Sequence, residues 1–543
     1  MRNMQCGYQS KVGEDIYTVI RRVKCDETKP ACRRCTDTQR ACDFLKPSNE
    51  LQLLQASRIA TKSRAVVLGS NRISTLQPKP AYSPSGPFSN DDGKYFEFFR
   101  ILCTTSSSRY FEDPLWDKTI LQMAQSESSI RNGVLALAVL LHPQNNPSDI
   151  TIERQKSNVK YLHAIQSLNN SLDTSTASWE LALIASLLFT SFEVLRGNPN
   201  DTASLQHFGA GQAILKEYIS KPQYISGTLK NLSKAFSRFD TQACSFAIFY
   251  QSKSVGTPAV PETFETISEA RDVIDDIIAY MYRLFKPYKD QYRDLPYLSL
   301  PPKISAELKD VDRLLKDWSS TLEKSINGSE PSIKEEAIGV KILRAQHLAA
   351  IIYISTHFYR DELAYDAFTK EFTEIILLAT IIIDHTQKEQ GSQPFSFDLG
   401  VIPALYLTAT KCRNPVLRRK AIGLLTRSGI EGIWIGDAMA AVARWVVKNE
   451  EMEIDEDFVP EEKRLNVKGV ALNRTLKRVR IVTTTKDAHG LLHYTAVNVG
   501  WAQDVVTGDD SEEYSLKDKE ALDMMIANWR RYLEGSLSEM LTP

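Results

Sequence analysis

Apolar residues recur at helical spacing along most of the chain from residue 93 onward. In the stretch SESSIRNGVLALAVLLH, spacings of four, three and four separate Ile130, Val134, Leu137 and Leu141. This spacing puts the four side chains on one face of a helix. Similar patterns cover residues 155–172, 178–196, 202–219, 228–251, 264–286, 304–325, 366–386 and 399–410. The pattern predicts a body of antiparallel helices.

The segments outside these patterns divide the chain. Residues 45–92 are rich in Ser, Pro, Asn and Gly, and QPKPAYSPSGP within them holds neither a helix nor a strand. Strand-like alternation is scarce before VRIVTTT at 479–485. We predict a mainly α protein with an N-terminal module at 1–48, a flexible linker at 49–92, an all-α body at 93–446, and an acidic segment with a mixed tail at 447–543.

Two local patterns refine this division. Ser332 and Glu335 form a capping-box pair, which predicts that a further helix begins in front of the apolar run to residue 354. The acidic stretch NEEMEIDEDFVPEEKR at 449–464 is read as a solvated loop in preference to an acidic activation segment, because charge runs usually face solvent.

Charge is uneven along the chain. The 543 residues carry a net charge of −1, so overall composition names no polyanionic partner. Residues 19–48, however, contain eight basic and four acidic side chains. A small positive module on a neutral chain indicates nucleic-acid binding at one end. The longest apolar run, residues 375–383, is shorter than the roughly 18 residues that span a bilayer, so no membrane partner is expected.

Four of the eight cysteines cluster near the start of the chain, at Cys25, Cys32, Cys35 and Cys42. Thiolates at spacings of six, two and six intervening residues can surround one zinc ion. A redox C-x2-C pair is disfavoured, because the βαβ setting that makes such a pair catalytic is missing from the pattern. The sequence therefore predicts zinc binding.

This stretch, RRVKCDETKPACRRCTDTQRACDF, resembles the fungal binuclear zinc cluster, in which six cysteines hold two zinc ions. The four cysteines match the third to sixth ligands. The resemblance implies a nuclear transcription regulator that binds double-stranded DNA at CCG-like triplets, usually as a homodimer. In that family a short helix reads the major groove. Carried over, the base readers are Arg21 and Arg22, and the residues nearer phosphate are Lys24, Arg33, Arg34 and Arg40.

The match stops before Arg21. The first two ligands are expected at positions 15 and 18, where this chain has Asp15 and Thr18. The first zinc would keep too few ligands, and the second would keep three thiolates and recruit Cys25. Two explanations stay open: residues before about Val19 come from a mistaken gene model, which we favour, or the DNA-binding half has decayed.

The body also resembles the helical regulatory region of fungal transcription factors. The similar stretches are 95–100, 110–142, 205–215, 412–425 and 431–445. The resemblance implies that a small-molecule effector or a co-regulator acts on this body. The basic residues Arg413, Arg418, Arg419 and Lys420 are interpreted as a solvated helix face, with an acidic partner as the alternative.

Enzymatic motifs are missing from the sequence. It contains no G-x-x-x-x-G-K-[ST], G-x-S-x-G or H-E-x-x-H pattern. HGLLH at 489–493 has metal-site spacing if helical but lacks a carboxylate partner, and HFGAG at 207–211 favours a helix with close-packed glycines over a phosphate loop. We therefore expect that the protein is not an enzyme.

The leading hypothesis is a zinc-dependent DNA-binding regulator, and the alternative is a helical interaction protein whose degenerate cluster no longer binds DNA.

Overall fold

The computed structural model describes residues 5–12, 15–22, 90–501 and 512–514, and the range 90–501 contains gaps. Within 90–501 the structure leaves out residues 106–109, 112, 143–146, 175–177, 198–201, 222–225, 247–255, 286–287, 289–299, 329–330, 360, 391–393, 453–457, 475–476 and 487–491. The chain forms two compact units, residues 1–71 and 72–543.

The described part of the first unit is a β-hairpin. Strand β1 (Gln5–Val12) pairs antiparallel with β2 (Asp15–Arg22), and Val12 lies opposite Asp15 at the turn. Arg21 and Arg22 end β2, so the structure places them on a strand and not on the helix that the family resemblance implies.

The second unit is mainly α, as the sequence predicted. Its first half contains α1 (Asn90–Thr105), a π-helical turn (Leu115–Thr119), α2 (Ile120–Ser126), α3 (Ser128–Leu141), α4 (Pro147–Asp173), α5 (Trp179–Arg196), α6 (Thr202–Ile219) and α7 (Gly227–Phe246). Its second half contains α8 (Ile267–Phe285), α9 (Pro302–Asn327), α10 (Ile338–Thr356), a 3-10 helix (Glu362–Phe368), α11 (Thr369–Gln390), α12 (Ile402–Lys411), α13 (Pro415–Leu425), α14 (Gly436–Glu450) and a short 3-10 turn (Glu461–Lys463).

Local sequence signals explain most helix bounds. Ser178 caps α5 by accepting a hydrogen bond from the Leu181 N–H at 3.1 Å, and Gly197 ends the helix at φ 66°. The capping box at Ser332 is wrong, because α10 begins only at Ile338. The Ser332 hydroxyl instead donates to the carbonyl of Phe264 at 2.6 Å, so tertiary contact overrides the local signal.

Two hydrophobic cores fill the second unit. Helices α1 to α7 surround one core, and α8 to α14 surround the other. Each core also receives aromatic side chains from the opposite half of the chain. Phe395 and Phe397 lie in the first core, where the Phe397 ring stacks on Trp116 at 3.9 Å, and Phe111 lies in the second. The two halves therefore interlock.

Strands cover part of the second core. β3 (Phe395–Ser396), β4 (Ile430–Glu431) and β5 (Trp434–Ile435) form a small sheet. A four-stranded antiparallel sheet follows α14, in the order β6 (Asn466–Asn473), β7 (Arg478–Lys486), β8 (Leu492–Gly500) and β9 (Glu512–Tyr514). β7 contains the strand predicted at 479–485, and β7 and β8 pack against α14. Much of the segment expected to be a mixed tail is thus built into the body.

Helix α10 is the one described helix that is long and apolar enough to cross a membrane. Its side chains Val340, Leu343 and Ile352 are fully buried in the second core, and α8, α9, α11 and α12 pack around it. Its hydrophobicity is explained by this position at the centre of the helical body.

Candidate functional site

The predicted zinc ligands Cys25, Cys32, Cys35 and Cys42 lie outside the described residues, as do Lys24, Arg33, Arg34 and Arg40. The positions of the family's first two ligands are described. Asp15 and Thr18 both lie on β2, opposite Val12 and Gln9. A Thr hydroxyl is not a usual zinc ligand. The two-zinc arrangement therefore does not fit residues 5–22, whereas four thiolates remain a suitable donor set for one zinc ion.

A buried ionic network joins α12, α13 and α14. Glu450, at the end of α14, is fully buried and accepts hydrogen bonds from Arg413 at 2.8 Å and from Arg418 at 2.7 Å. Arg413 also reaches Glu362 at 3.4 Å, and Lys411 donates to the same carboxylate at 2.7 Å. Burial lowers the pKa of Arg413, but the charges of Glu450 and Glu362 more than reverse this, so its pKa is raised.

The solvated-face interpretation of the basic patch is therefore wrong for Arg413 and Arg418 and correct for Arg419 and Lys420. Arg413 and Arg418 are buried, and Arg419 pairs with Glu451 on the surface. Of these four side chains, Lys420 alone is exposed and forms no ion pair with another described residue. A signal was present: Arg418 lies three and seven residues before Ala421 and Leu425, on the apolar face of α13.

Residues 458–465 follow the gap after α14 and form a segment that we call the strap. Glu461 accepts hydrogen bonds from the backbone N–H groups of Glu362 and Leu363 at 2.8 and 2.9 Å, at the start of the 3-10 helix. Arg464, a buried side chain, donates to both carboxylate oxygens of Asp366 at 2.8 and 2.7 Å. The solvated-loop interpretation is wrong for these residues, because the strap is tied to the body.

A pocket of about 420 Å³ lies between the strap and the helical body. Its inner wall includes Phe372 of α11 and Cys412, both buried. The strap supplies Phe458, Val459 and Arg464. The further lining residues are Tyr365, Asp366, Thr369, Arg413, Asn414, Pro415 and Val416. Burial raises the pKa of the Cys412 thiol, so it behaves as a neutral, weakly polar wall.

Apolar side chains stand at the rim of this pocket. Val416 is 60% exposed and Phe458 is 50% exposed. Exposed large apolar groups beside a concave surface are typical of ligand sites. Among the described residues, this pocket is therefore the candidate site for a small ligand.

A second ionic network lies between the two hydrophobic cores. Arg238 of α7 pairs with Asp113 and with Asp398, the latter at 3.0 Å, and Arg271 of α8 pairs with Asp398 at 3.2 Å. Asp275 of α8 lies beside them, and burial raises its pKa to about 7, because it outweighs the opposing charges of the two arginines. These residues join elements from both halves of the body.

The remaining sequence motifs are explained by packing. His493 lies in strand β8, so HGLLH does not form a helical metal site, and His489 is outside the described residues. HFGAG lies within α6, as predicted, and a Cβ at Gly211 would clash with the Ser186 hydroxyl and the Phe236 ring. Within the described ranges no group of three or more His, Cys, Asp or Glu side chains is placed to hold a metal ion.

Comparison with known proteins agrees with this architecture. Residues 94–433 match the model of the fungal specific transcription factor domain, over more than half of the chain. The chain is 22% identical to the aspercryptin biosynthesis cluster-specific transcription regulator of Emericella nidulans, over 83% of this chain and 90% of that protein. It is 26% identical to a transcription regulator of Purpureocillium lilacinum, over 37% of this chain and 48% of that protein.

No solved structure shows significant similarity to the chain. Both relatives are named as transcription regulators, in agreement with the non-enzymatic function expected from the sequence. The family match ends at residue 433, so the strap and the C-terminal sheet lie beyond the matched residues. Because the match spans most of the helical body, this chain belongs to the fungal specific transcription factor family.

Proposed function

We propose that this protein is a nuclear transcription regulator that binds double-stranded DNA through residues 1–48 and receives regulatory signals on its helical body. The observation that carries the proposal is the family match over residues 94–433. A basic stretch with four clustered cysteines precedes the matched residues in the sequence. The long alignment with a cluster-specific regulator supports genes of one biosynthetic cluster as its targets.

Zinc is the proposed cofactor of the DNA-binding module. Cys25, Cys32, Cys35 and Cys42 would hold one ion, which would supply much of the folding energy of so small a module. Arg21 and Arg22 would then read base edges of CCG-like triplets, while Lys24, Arg33, Arg34 and Arg40 would contact phosphates. A homodimer would read two such triplets.

DNA binding by the full-length chain tests the proposal. We expect one zinc ion per chain and preferential binding to a duplex with two CCG triplets over a scrambled duplex. Replacing Arg22 with Ala should reduce the preference about tenfold, because a base contact is lost. Replacing Arg34 with Ala should weaken binding to both duplexes alike and flatten its salt dependence. Equal losses on both duplexes for both variants would contradict the assigned roles.

The alternative is a helical regulatory protein that no longer binds DNA. The residues at the family's first two ligand positions, Asp15 and Thr18, favour it, because a Thr hydroxyl is not a usual zinc ligand. A purified chain with no zinc and no measurable affinity for either duplex would establish this alternative and shift attention to protein partners of the body.

A further inference from the structure

The strap is tied to the body by hydrogen bonds that each involve a charged side chain, including one from Arg464 to the carbonyl of Glu362 at 3.2 Å. Glu461 binds two backbone N–H groups of the 3-10 helix, Arg464 forms a fork with Asp366, and the Leu465 N–H donates to Glu450 at 2.8 Å. Arg464 also donates to the carbonyl of Val459 at 2.8 Å, which folds the strap back on itself. The strap is therefore a short segment that is tied by these polar contacts and by the buried side chains of Val459 and Leu465.

The ties lie beside the pocket. Asp366 and Arg464 line it, and the guanidinium of Arg464 stands 5.4 Å from the ring centroid of Phe458 at the rim. If the ties at Glu461 and Arg464 release, Phe458 and Val459 leave the pocket wall, and Cys412 loses part of its cover. The wall facing the strap belongs to the body and does not depend on these ties.

Charge inside the pocket determines what it can bind. Arg464 is paired with Asp366, and Arg413 is paired with Glu450 and Glu362. An ionic ligand would have to break one of these pairs or remain uncompensated, and both are unfavourable in a partly buried site. Phe372, Cys412 and Val459 offer apolar contact. The exposed Thr369 hydroxyl donates to the carbonyl of Asp366 and can still accept a hydrogen bond, while Asn414 caps α13 with its side-chain oxygen and can still donate through its amide N–H.

We infer that this pocket is an effector site for an uncharged small molecule with an apolar body and one hydrogen-bonding group, and that the strap is the lid over it. The inference builds on the proposed regulation through the helical body but is independent of DNA binding. A volume of about 420 Å³ lies within the usual range for small-molecule sites, which begins at roughly 300 Å³.

The lid is tested by the alkylation rate of Cys412. The full-length chain is treated with N-ethylmaleimide, and peptide mass spectrometry follows Cys412 separately from the other cysteines. Glu461→Gln should accelerate Cys412 modification about tenfold, because the amide binds the two N–H groups less well and the strap opens more often. Glu462→Gln is the matched control, since Glu462 is exposed and its side chain forms no hydrogen bond or ion pair within the described residues. Equal rates of Cys412 modification in the two variants would overturn the inference that the strap is a lid.

The ligand class is tested with three probes that share one skeleton: 4-phenylbutanamide, 4-phenylbutyrate and 4-phenylbutylamine. The neutral amide should slow Cys412 modification about fivefold at saturation, and the two ions should have little effect. Phe458→Ala should weaken this protection, whereas Met452→Ala, at a similarly exposed side chain, should not. Protection by an ion as strong as by the amide, or none by any probe, would overturn the inference.

The two proposals fail separately. Cys412 protection is measured without DNA, so a chain that never binds DNA can still support the effector site. A chain that binds CCG duplexes normally but shows no amide protection would refute the effector site and leave the proposed regulator intact.

Discussion

The two buried ionic networks of the helical body differ in charge balance. In the network between the two cores, the described carboxylates Asp113, Asp272, Asp275 and Asp398 outnumber the cations Lys234, Arg238 and Arg271. In the network at the strap, the five described cations Lys411, Arg413, Arg418, Arg419 and Arg464 match the five carboxylates Glu362, Asp366, Glu450, Glu451 and Glu461.

This difference indicates two ways of using buried charge. A network with surplus acid binds a proton, so its contribution to stability varies near neutral pH. A balanced network fixes geometry, and its energy depends mainly on whether each pair is complete. The acidic network joins the two halves of the helical body. The balanced network attaches α14 and the strap, which follow the residues matched by the family. Three substitutions sharpen this comparison.

The largest effect is expected in the balanced network. Arg418→Met should lower the apparent free energy of unfolding by about 3–5 kcal/mol, because Glu450 would remain buried with one partner removed. Arg419→Met, one residue further along α13, should cost less than about 1 kcal/mol, since Arg419 is mostly exposed. Urea denaturation followed by tryptophan fluorescence measures both. Similar losses would show that burial of the pair does not matter.

The acidic network should respond to pH. Asp275 has a pKa of about 7 in the folded chain and about 4 when unfolded, so the folded state binds the extra proton between these values. Stability should therefore fall as pH rises from about 4 to 7, because deprotonation leaves a buried carboxylate whose loss of solvation Arg271 and Arg238 only partly offset.

Asp275→Asn removes this titration. The variant should be more stable than the parent at pH 7.5, by on the order of 2 kcal/mol, and its stability should vary less between pH 4 and 7. Thermal unfolding at a series of pH values measures the difference. Asp310→Asn, on the exposed face of α9, is the control and should leave the profile unchanged. A parent profile that rises through this range would contradict the assignment.

The smallest effect concerns geometry at unchanged charge. Arg464→Lys keeps the positive charge but loses the fork that binds both oxygens of Asp366, so it should cost about 1–2 kcal/mol. Arg313→Lys, at an exposed pair on α9, should cost almost nothing. Equal melting temperatures for the two variants would show that the fork does not hold the strap.

Periodicity alone was sufficient to predict most helices. The spacing of apolar residues gave 202–219, which is α6, and placed α5 and α9 within two residues of their bounds. The capping signal failed where a long-range contact decides: the Ser332 hydroxyl bonds to the carbonyl of Phe264, 68 residues away.

The candidate site was harder to predict than the helices. Its ion pairs join Arg418 to Glu450 and Arg464 to Asp366, which lie 32 and 98 residues apart. Charge runs seen in sequence suggest a solvated surface, because nothing local marks the burial of their partners. The position of Glu450 within its helix is an exception. Glu450 lies four residues after Val446 and therefore on the same buried face of α14, so its burial could be inferred from the sequence.

The contact between Arg474 and α5 has a consequence for the order of synthesis. Arg474, in the turn between β6 and β7, donates to the carbonyl of Leu195 at 3.0 Å, across 279 residues. The carbonyl of Leu195 at the C-terminal end of α5 therefore gains this hydrogen-bond donor only after the ribosome has synthesised Arg474. During that interval the first core must hold together through its own helices, so the nascent chain is most exposed to chaperones and proteases before the C-terminal sheet emerges.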